Sequence, residues 1–193
     1  LSSEELNALW NVADAQGLPW SAGLKLLILT GQRRSEVFEA DRSEFDLTNM
    51  RWTIPADRAK NGLPHIVQLS DYAIQILEDV PVMTESSKLF PARNNPQNGP
   101  SGFSKVVRRL KDGLELKLGR EVDDWRLHDV RRTVATGLQR LGVRFEVTEA
   151  VLNHTSGAKS GVAGVYQRYD WQREKQEALE LWAREIIQIT SAP

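Results

Sequence analysis

The spacing of apolar residues changes twice along this chain, and that change limits its fold more than any other sequence feature. Over residues 1–30 apolar side chains recur every three or four positions, which predicts amphipathic helices over about 3–16 and 21–30. Between residues 45 and 69 the spacing shortens to alternation, which predicts short strands. Helical spacing returns after residue 70. We therefore expect a mostly α-helical domain with a small antiparallel β-sheet, an α+β fold.

The predicted strands lie at about 45–47, 51–55 and 66–69, and Asn61-Gly62 supplies a turn between the last two. A loop rich in Pro, Gly and Asn occupies residues 91–102. Further helices are predicted at about 70–79, 102–117, 127–141, 145–152 and 171–190. No repeat or interdomain linker interrupts this pattern, so residues 1–193 are expected to form a single domain.

Composition and charge exclude some classes of protein and leave others open. Cysteine is absent, which excludes disulfides, thiolate nucleophiles and cysteine-based zinc sites. No apolar run approaches the roughly 18 residues of a membrane span. The net charge is −1, but residues 1–50 carry 4 basic and 8 acidic side chains, whereas residues 101–150 carry 11 and 8. A neutral total can hide a basic face, so charge neither supports nor excludes a polyanionic partner.

Polar residues that packing does not require are concentrated in a few short stretches. They are Thr30-Gly31-Gln32-Arg33-Arg34-Ser35-Glu36-Val37, Arg58-Ala59-Lys60-Asn61-Gly62, Leu127-His128-Asp129-Val130-Arg131-Arg132-Thr133, Leu152-Asn153-His154 and Gly164-Val165-Tyr166-Gln167-Arg168-Tyr169. Each stretch alone is a weak signal, but their order along the chain is specific: Arg, a hairpin Lys, His-x-x-Arg, His and Tyr.

This ordered set resembles the catalytic domain of the tyrosine recombinase (phage integrase) family over about residues 2–182. The region from Tyr166 to Ala183 looks like prophage integrases of the P4 type in particular. The resemblance implies a site-specific DNA recombinase (integrase). It would cleave and rejoin double-stranded DNA through a 3′-phosphotyrosyl intermediate, without a metal, ATP or another cofactor.

The resemblance also assigns roles to the matching positions. Arg33 and Arg131 match the arginines that bind the phosphate, a task suited to the planar, always charged guanidinium. His128 lies three residues before Arg131, so one helix face presents both. His154 matches a further hydrogen-bond donor to the phosphate, and Lys60 matches the general acid that protonates the 5′-oxygen.

The resemblance also assigns roles to an acidic residue and to the nucleophile. Glu36 matches an acidic residue of the family, to which we assign the orientation of the basic cluster. Tyr166 is the predicted nucleophile, and Tyr169, three residues later, is the alternative. They lie twelve and fifteen residues after His154, farther than the nine found in many family members.

Two positions differ from the family pattern, and several histidine and lysine residues also have an ordinary structural interpretation. Gln32 stands where Leu is frequent in the family, and Asn153 stands where Gly is frequent. Taken alone, His128 would more often be a buried core histidine, and Lys60 an ordinary turn lysine. His65 is interpreted as a sheet residue, and with three histidines in the chain no metal site is expected.

DNA contacts outside the catalytic positions are predicted in the loop and helix after the sheet, although a solvated helix face would look the same. The residues are Arg93, Lys105, Arg108, Arg109 and Lys111. The resemblance further implies a cytoplasmic, nucleoid-associated bacterial protein that is a monomer when free. On its attachment sites it would form a tetramer, with accessory DNA-bending or excisionase proteins. An N-terminal DNA-binding region usually precedes this domain, so we expect a fragment.

Two rival functions stay open at this point. A type IB topoisomerase-like enzyme would share the tyrosine chemistry but relax supercoils without exchanging partners. A non-catalytic DNA-binding relative would keep the fold alone.

Overall fold

A computed structural model of the chain describes residues 1–154 and 170–191, and it confirms the mixed α and β prediction. The helices are α1 (Ser3–Asp14), α2 (Trp20–Thr30), α3 (Arg34–Phe38), α4 (Asp71–Glu78), α5 (Phe103–Leu118), α6 (Leu127–Arg140), α7 (Phe145–Val151) and α8 (Gln172–Ser191). A short 3-10 helix covers Arg42–Glu44. Within the described ranges, no helix combines the length and apolar character that a membrane crossing requires.

The sheet is antiparallel and follows chain order. Strand β1 (Phe45–Asp46) pairs with β2 (Arg51–Ile54), which pairs with β3 (His65–Gln68). Strand β2 buries alternate residues, with Trp52 opposite Val67 in β3. The β2–β3 connection contains the predicted Asn-Gly turn, and the sheet therefore presents this turn at one of its ends.

Helix α2 ends where the sequence predicts, and this end brings three elements together. Gly31 terminates the helix with φ of 65°, a left-handed conformation that favours glycine. A Cβ atom on Gly31 would lie 2.9 Å from Leu152 and 3.0 Å from Val134. The missing side chain thus lets the end of α2 approach both α6 and the segment after α7.

The C-terminal helix α8 packs against its own domain. Trp182 is 1% exposed, and its indole Nε1 donates a hydrogen bond to the Ile28 carbonyl in α2 at 2.8 Å. The ring also requires a glycine on α6, since a Cβ on Gly137 would lie 2.2 Å from it. Lys175 Nζ donates to the Ile66 carbonyl of β3 at 2.7 Å. These contacts dock α8 onto the rest of its own chain.

The interpretation of His65 as a sheet residue is confirmed, and its burial has an electrostatic consequence. The side chain lies in β3, is 6% exposed, and its Nε2 hydrogen-bonds the Val151 carbonyl at 3.2 Å. Burial, together with the positive charges of Lys175 and Arg131, lowers the pKa of His65 to about 3. The imidazole is therefore neutral in the folded protein down to strongly acid pH.

We expect this neutral histidine to make the domain sensitive to acid. Below the ordinary histidine pKa of about 6.5 the unfolded chain takes up a proton that the native chain refuses, so stability falls as pH drops. At pH 4.5 the loss from this one residue is about 2–3 kcal/mol. Urea unfolding at pH 7 and pH 4.5, in the wild type and in His65→Gln, measures it. The variant should lose less stability on acidification, because the carboxylate contributions are common to both proteins. Equal losses would contradict the prediction.

Candidate active site

A cleft of about 910 Å³ lies between the start of α3, the β2–β3 turn and helices α5 and α6. Four of the predicted catalytic side chains line it: Arg33, Lys60, His128 and Arg131. They come from three separate parts of the chain, the start of α3, the β2–β3 turn and α6, which meet here. The cleft is therefore the candidate active site.

Arg33 is held at the start of α3 by one buried carboxylate. Its backbone N–H donates to Glu36 Oε2 at 2.7 Å, and its Nη1 donates to Glu36 Oε1 at 2.8 Å. Glu36 is only 1% exposed, so this ion pair is shielded from solvent on the carboxylate side. The geometry restricts the Arg33 guanidinium, as the orienting role predicted for Glu36 requires.

Arg131 enters the cleft from α6 and is almost fully buried, at 3% exposure. Its Nη1 donates to the Gly31 carbonyl at 2.7 Å, and its Nη2 donates to the Leu152 carbonyl. Burial and the nearby charge of Arg33 lower the pKa of Arg131 to about 10, against the opposing effect of Glu36. At neutral pH the guanidinium therefore stays charged, and three of its five N–H donors make no hydrogen bond to the described residues.

Three consecutive carbonyl groups at the end of α7 explain how the two arginines come together. Val151 is the last residue of α7 and residues 152 and 153 follow it, so their carbonyl oxygens have no partner within the helix and carry partial negative charge. Gln32 Nε2 donates to the first carbonyl at 2.9 Å, Arg131 to the second, and Arg33 Nη2 to the third at 3.3 Å. One helix end thus fixes both guanidinium groups immediately before His154.

His154 is oriented by a carboxylate of the preceding helix. Its Nδ1 lies 2.8 Å from Glu149 Oε1, and the side chain is 38% exposed. This contact places the hydrogen on Nδ1 and leaves Nε2 for a ligand, where the imidazolium form can donate. His154 is not among the side chains that line the cleft, but the carbonyl of the residue before it accepts the bond from Arg33.

His128 and Lys60 occupy exposed positions on the cleft wall. The alternative of a core histidine is wrong, because His128 is exposed at the start of α6. Lys60 lies in the β2–β3 turn as predicted, and it is also exposed. The turn contacts the segment after α7 through Asn61 Nδ2, which donates to Asn153 Oδ1 at 2.9 Å.

The predicted DNA-contacting residues are placed in different surroundings. Arg108 and Lys111 of α5 line the cleft, and Lys111 Nζ pairs with Asp124 at 2.5 Å. Lys105 and Arg109 are exposed on the same helix. Arg93 lines a separate, more apolar groove of about 570 Å³. Contact of these five residues with DNA stays a prediction.

Sequence reasoning missed several side chains that shape this site. Gln32 and Asn153 were noted as departures from the family pattern without a role, yet both bind backbone or side chains around the arginines. Glu149 was not singled out, although its place five residues before His154 was a usable signal. Arg34 also lines the cleft, with its guanidinium 4.5 Å from the Phe103 ring centre.

Tyr166 and Tyr169 lie outside the described residues, so the structure gives no position for either candidate nucleophile. Within residues 1–154 and 170–191, no three His, Asp or Glu side chains are gathered in a way that could hold a metal ion.

Several solved structures with the same fold are recombinases or integrases. The chain superposes on XerA recombinase with a TM-score of 0.64 at 20% identity, covering 100% of this chain and 64% of that one. For the catalytic core of lambda integrase the TM-score is 0.59 at 16% identity, with 80% and 94% covered. XerH recombinase bound to its difH substrate gives 0.61 at 19% identity, with 81% and 47% covered. These similarities establish the fold.

Sequence comparison identifies the family. Residues 1–169 match the profile of the phage integrase family. Over 160 residues the chain is 33% identical to prophage integrase IntA of Escherichia coli strain K12. That alignment covers 81% of this chain but 36% of the relative, so the chain spans about a third of that protein's length. With nearly its whole length matched, the chain belongs to the phage integrase family, the tyrosine recombinases.

Proposed function

We propose that this chain is the catalytic domain of a site-specific recombinase that cuts and rejoins DNA through a 3′-phosphotyrosyl intermediate, without metal or ATP. The observation that carries the proposal is the convergence of Arg33, Arg131, His128 and Lys60 on one cleft. All four side chains are of basic residue types, which suits a site that stabilises negative charge on a phosphodiester while it is transferred between two hydroxyl groups.

The two arginines supply the charge that the transition state needs. A guanidinium can donate two parallel hydrogen bonds to the non-bridging oxygens of a phosphate, and it does so without changing protonation state. Because Arg33 and Arg131 are already fixed by Glu36 and by backbone carbonyls, little reorganisation accompanies the reaction. Each preorganised donor is worth about 10²–10³ in rate.

The remaining groups move protons. The hydroxyl oxygen of Tyr166 forms a bond to phosphorus while the bond from phosphorus to the 5′-oxygen breaks. The tyrosine proton passes to a base, for which His128 is placed in the cleft, and Lys60 protonates the departing 5′-oxygen. His154, oriented by Glu149, donates to the phosphate. Attack by a 5′-hydroxyl reverses every step, so the strand is rejoined without a nucleotide cofactor.

Double-stranded DNA is the proposed partner. The XerH structure named above is a complex with difH, and a lambda integrase dimer of the same fold is bound to a core site. In this chain Arg108 of α5 extends the cationic wall of the cleft, and Lys111 lies beside it in an ion pair with Asp124. A tetramer on paired attachment sites and accessory DNA-bending proteins belong to the same proposal.

A nicked suicide duplex carrying the attachment site tests the proposal directly. Cleavage next to the nick releases a short fragment that diffuses away, so the covalent protein–DNA adduct accumulates. We expect an adduct that survives detergent and forms at the same rate with EDTA as without it. Absence of the adduct would indicate a non-catalytic DNA-binding relative, and strict magnesium dependence would contradict the metal-free mechanism.

A further inference from the structure

We infer that Asn153 is a positioning residue for Lys60, acting through its side-chain bond to the β2–β3 turn. The inference rests on the proposed function, in which Lys60 protonates the leaving group. The bond uses the side-chain oxygen of Asn153, so a glycine at this position could not make it.

The hydrogen bond between Asn61 and Asn153 joins two residues that are far apart in the sequence. Asn61 Nδ2 donates to Asn153 Oδ1 at 2.9 Å, across 92 residues. The other end of the same amide is also used, since Asn61 Oδ1 accepts the Leu63 N–H at 3.2 Å. Both ends of the Asn61 side chain are thus engaged, and Lys60 is the adjacent residue.

Lys60 is fixed from its other side as well. Arg58 Nη2 donates to the Glu36 carbonyl at 2.9 Å and pairs with Glu44 at 2.8 Å. These contacts hold the first part of the β2–β3 connection against α3. The contact between Asn61 and Asn153 holds the second part, so that Lys60 stands between two anchors.

Asn153 lies next to three of the proposed reacting groups: it contacts the turn that carries Lys60, it contacts Arg33, and it precedes His154. Its φ of 50° is a left-handed conformation, which Asn tolerates better than most residues. Its carbonyl accepts the Arg33 guanidinium, and the next residue is His154. One residue therefore joins the turn of Lys60 to the group that binds the phosphate. Displacement of a reacting group by about 1 Å can cost roughly 10² in rate.

The test compares two leaving groups in the covalent adduct assay. One suicide duplex has the normal 5′-oxygen at the scissile phosphate, and the other has sulfur in that bridging position. A thiol, with a pKa of about 8.5, leaves without protonation, whereas an alcohol does not. A defect confined to the general acid slows only the oxygen substrate. The variants are Asn153→Gly, which tolerates the left-handed backbone, Asn61→Ala, and their combination.

Two further variants are the references. Lys60→Ala gives the behaviour of a missing general acid. Asn49→Gly is the matched control, because Asn49 is an exposed turn residue that contacts Asp46. Melting temperature and duplex binding are measured for each variant.

We expect Asn153→Gly and Asn61→Ala each to cleave the oxygen duplex about 10-fold or more slowly, and the sulfur duplex within threefold of wild type. The double variant should be no slower than the slower single variant, because both remove one contact. Equal slowing on both duplexes, or no slowing, overturns the inference. A wild type that forms no adduct on either duplex overturns the proposed function, and a Lys60→Ala defect that sulfur does not relieve overturns the role of Lys60.

Discussion

Tyr166→Phe is expected to abolish the covalent protein–DNA adduct completely. The substitution removes one oxygen atom, and that oxygen is the only atom of the side chain that can form the ester with phosphorus. DNA binding and thermal stability should stay close to wild type, since the ring is retained. The adduct on a suicide duplex, followed by gel shift under denaturing conditions, measures the effect.

Tyr169→Phe is the matched control for this experiment. The two tyrosines are three residues apart and both lie outside the described residues, so the choice between them rests on the sequence alone. We expect Tyr169→Phe to retain the adduct. The reverse pattern, with the adduct lost only in Tyr169→Phe, would move the nucleophile to Tyr169, and mass spectrometry of the DNA-linked peptide identifies the residue independently.

Arg131→Ala is expected to produce the second largest loss, by at least about 10³ in the rate of strand cleavage. The side chain would be lost as a phosphate donor and also as the partner of two backbone carbonyls. Because the carbonyls of Gly31 and Leu152 would be left buried without that donor, we also expect the free energy of unfolding to fall by about 2–4 kcal/mol. Single-turnover cleavage and urea unfolding measure the two effects.

Neighbouring substitutions separate the two roles of this arginine. Arg131→Lys keeps a charge but not the planar fork, so we expect partial recovery of stability and a cleavage rate still about 10² below wild type. Arg132→Ala is the control on the same helix, because Arg132 is mostly exposed and pairs with Asp129. It should change either quantity little. A folded Arg131→Ala protein that cleaves within tenfold of wild type would contradict the assignment.

Local physics made most of the fold predictable. The capping box of Ser2 and Glu5 begins α1, the left-handed Gly31 ends α2, and the Asn61-Gly62 turn lies between β2 and β3 as the sequence indicates. Each of these signals acts within a few residues of the chain, where backbone conformation and side-chain capping determine the structure. Boundaries differ by about two residues, as at the end of α1, because terminal turns fray.

The identity of the site residues could also be predicted from the sequence, but the hydrogen-bond partners that hold them in place could not. The order of motifs predicted that Arg33, His128 and Arg131 would meet, and the cleft contains all three. The partners of Arg131 lie 100 and 21 residues away in the chain and are backbone carbonyls, which leave no mark in a sequence. Gln32 was set aside for the same reason, since its partner is the carbonyl of residue 151.

The contacts to the carbonyls at the end of α7 affect which residues would be retained in a gene whose product has lost activity. Replacing Gln32 or Arg131 removes a buried hydrogen-bond donor to these carbonyls and should lower stability, whether or not the protein ever meets an attachment site. Lys60 and His128 are exposed, so their replacement should affect stability little. Homologous sequences that have lost recombination activity should therefore keep Arg131 for longer than Lys60 and His128. The presence of Lys60 and His128 is then a better indicator of an active integrase than the presence of Arg131.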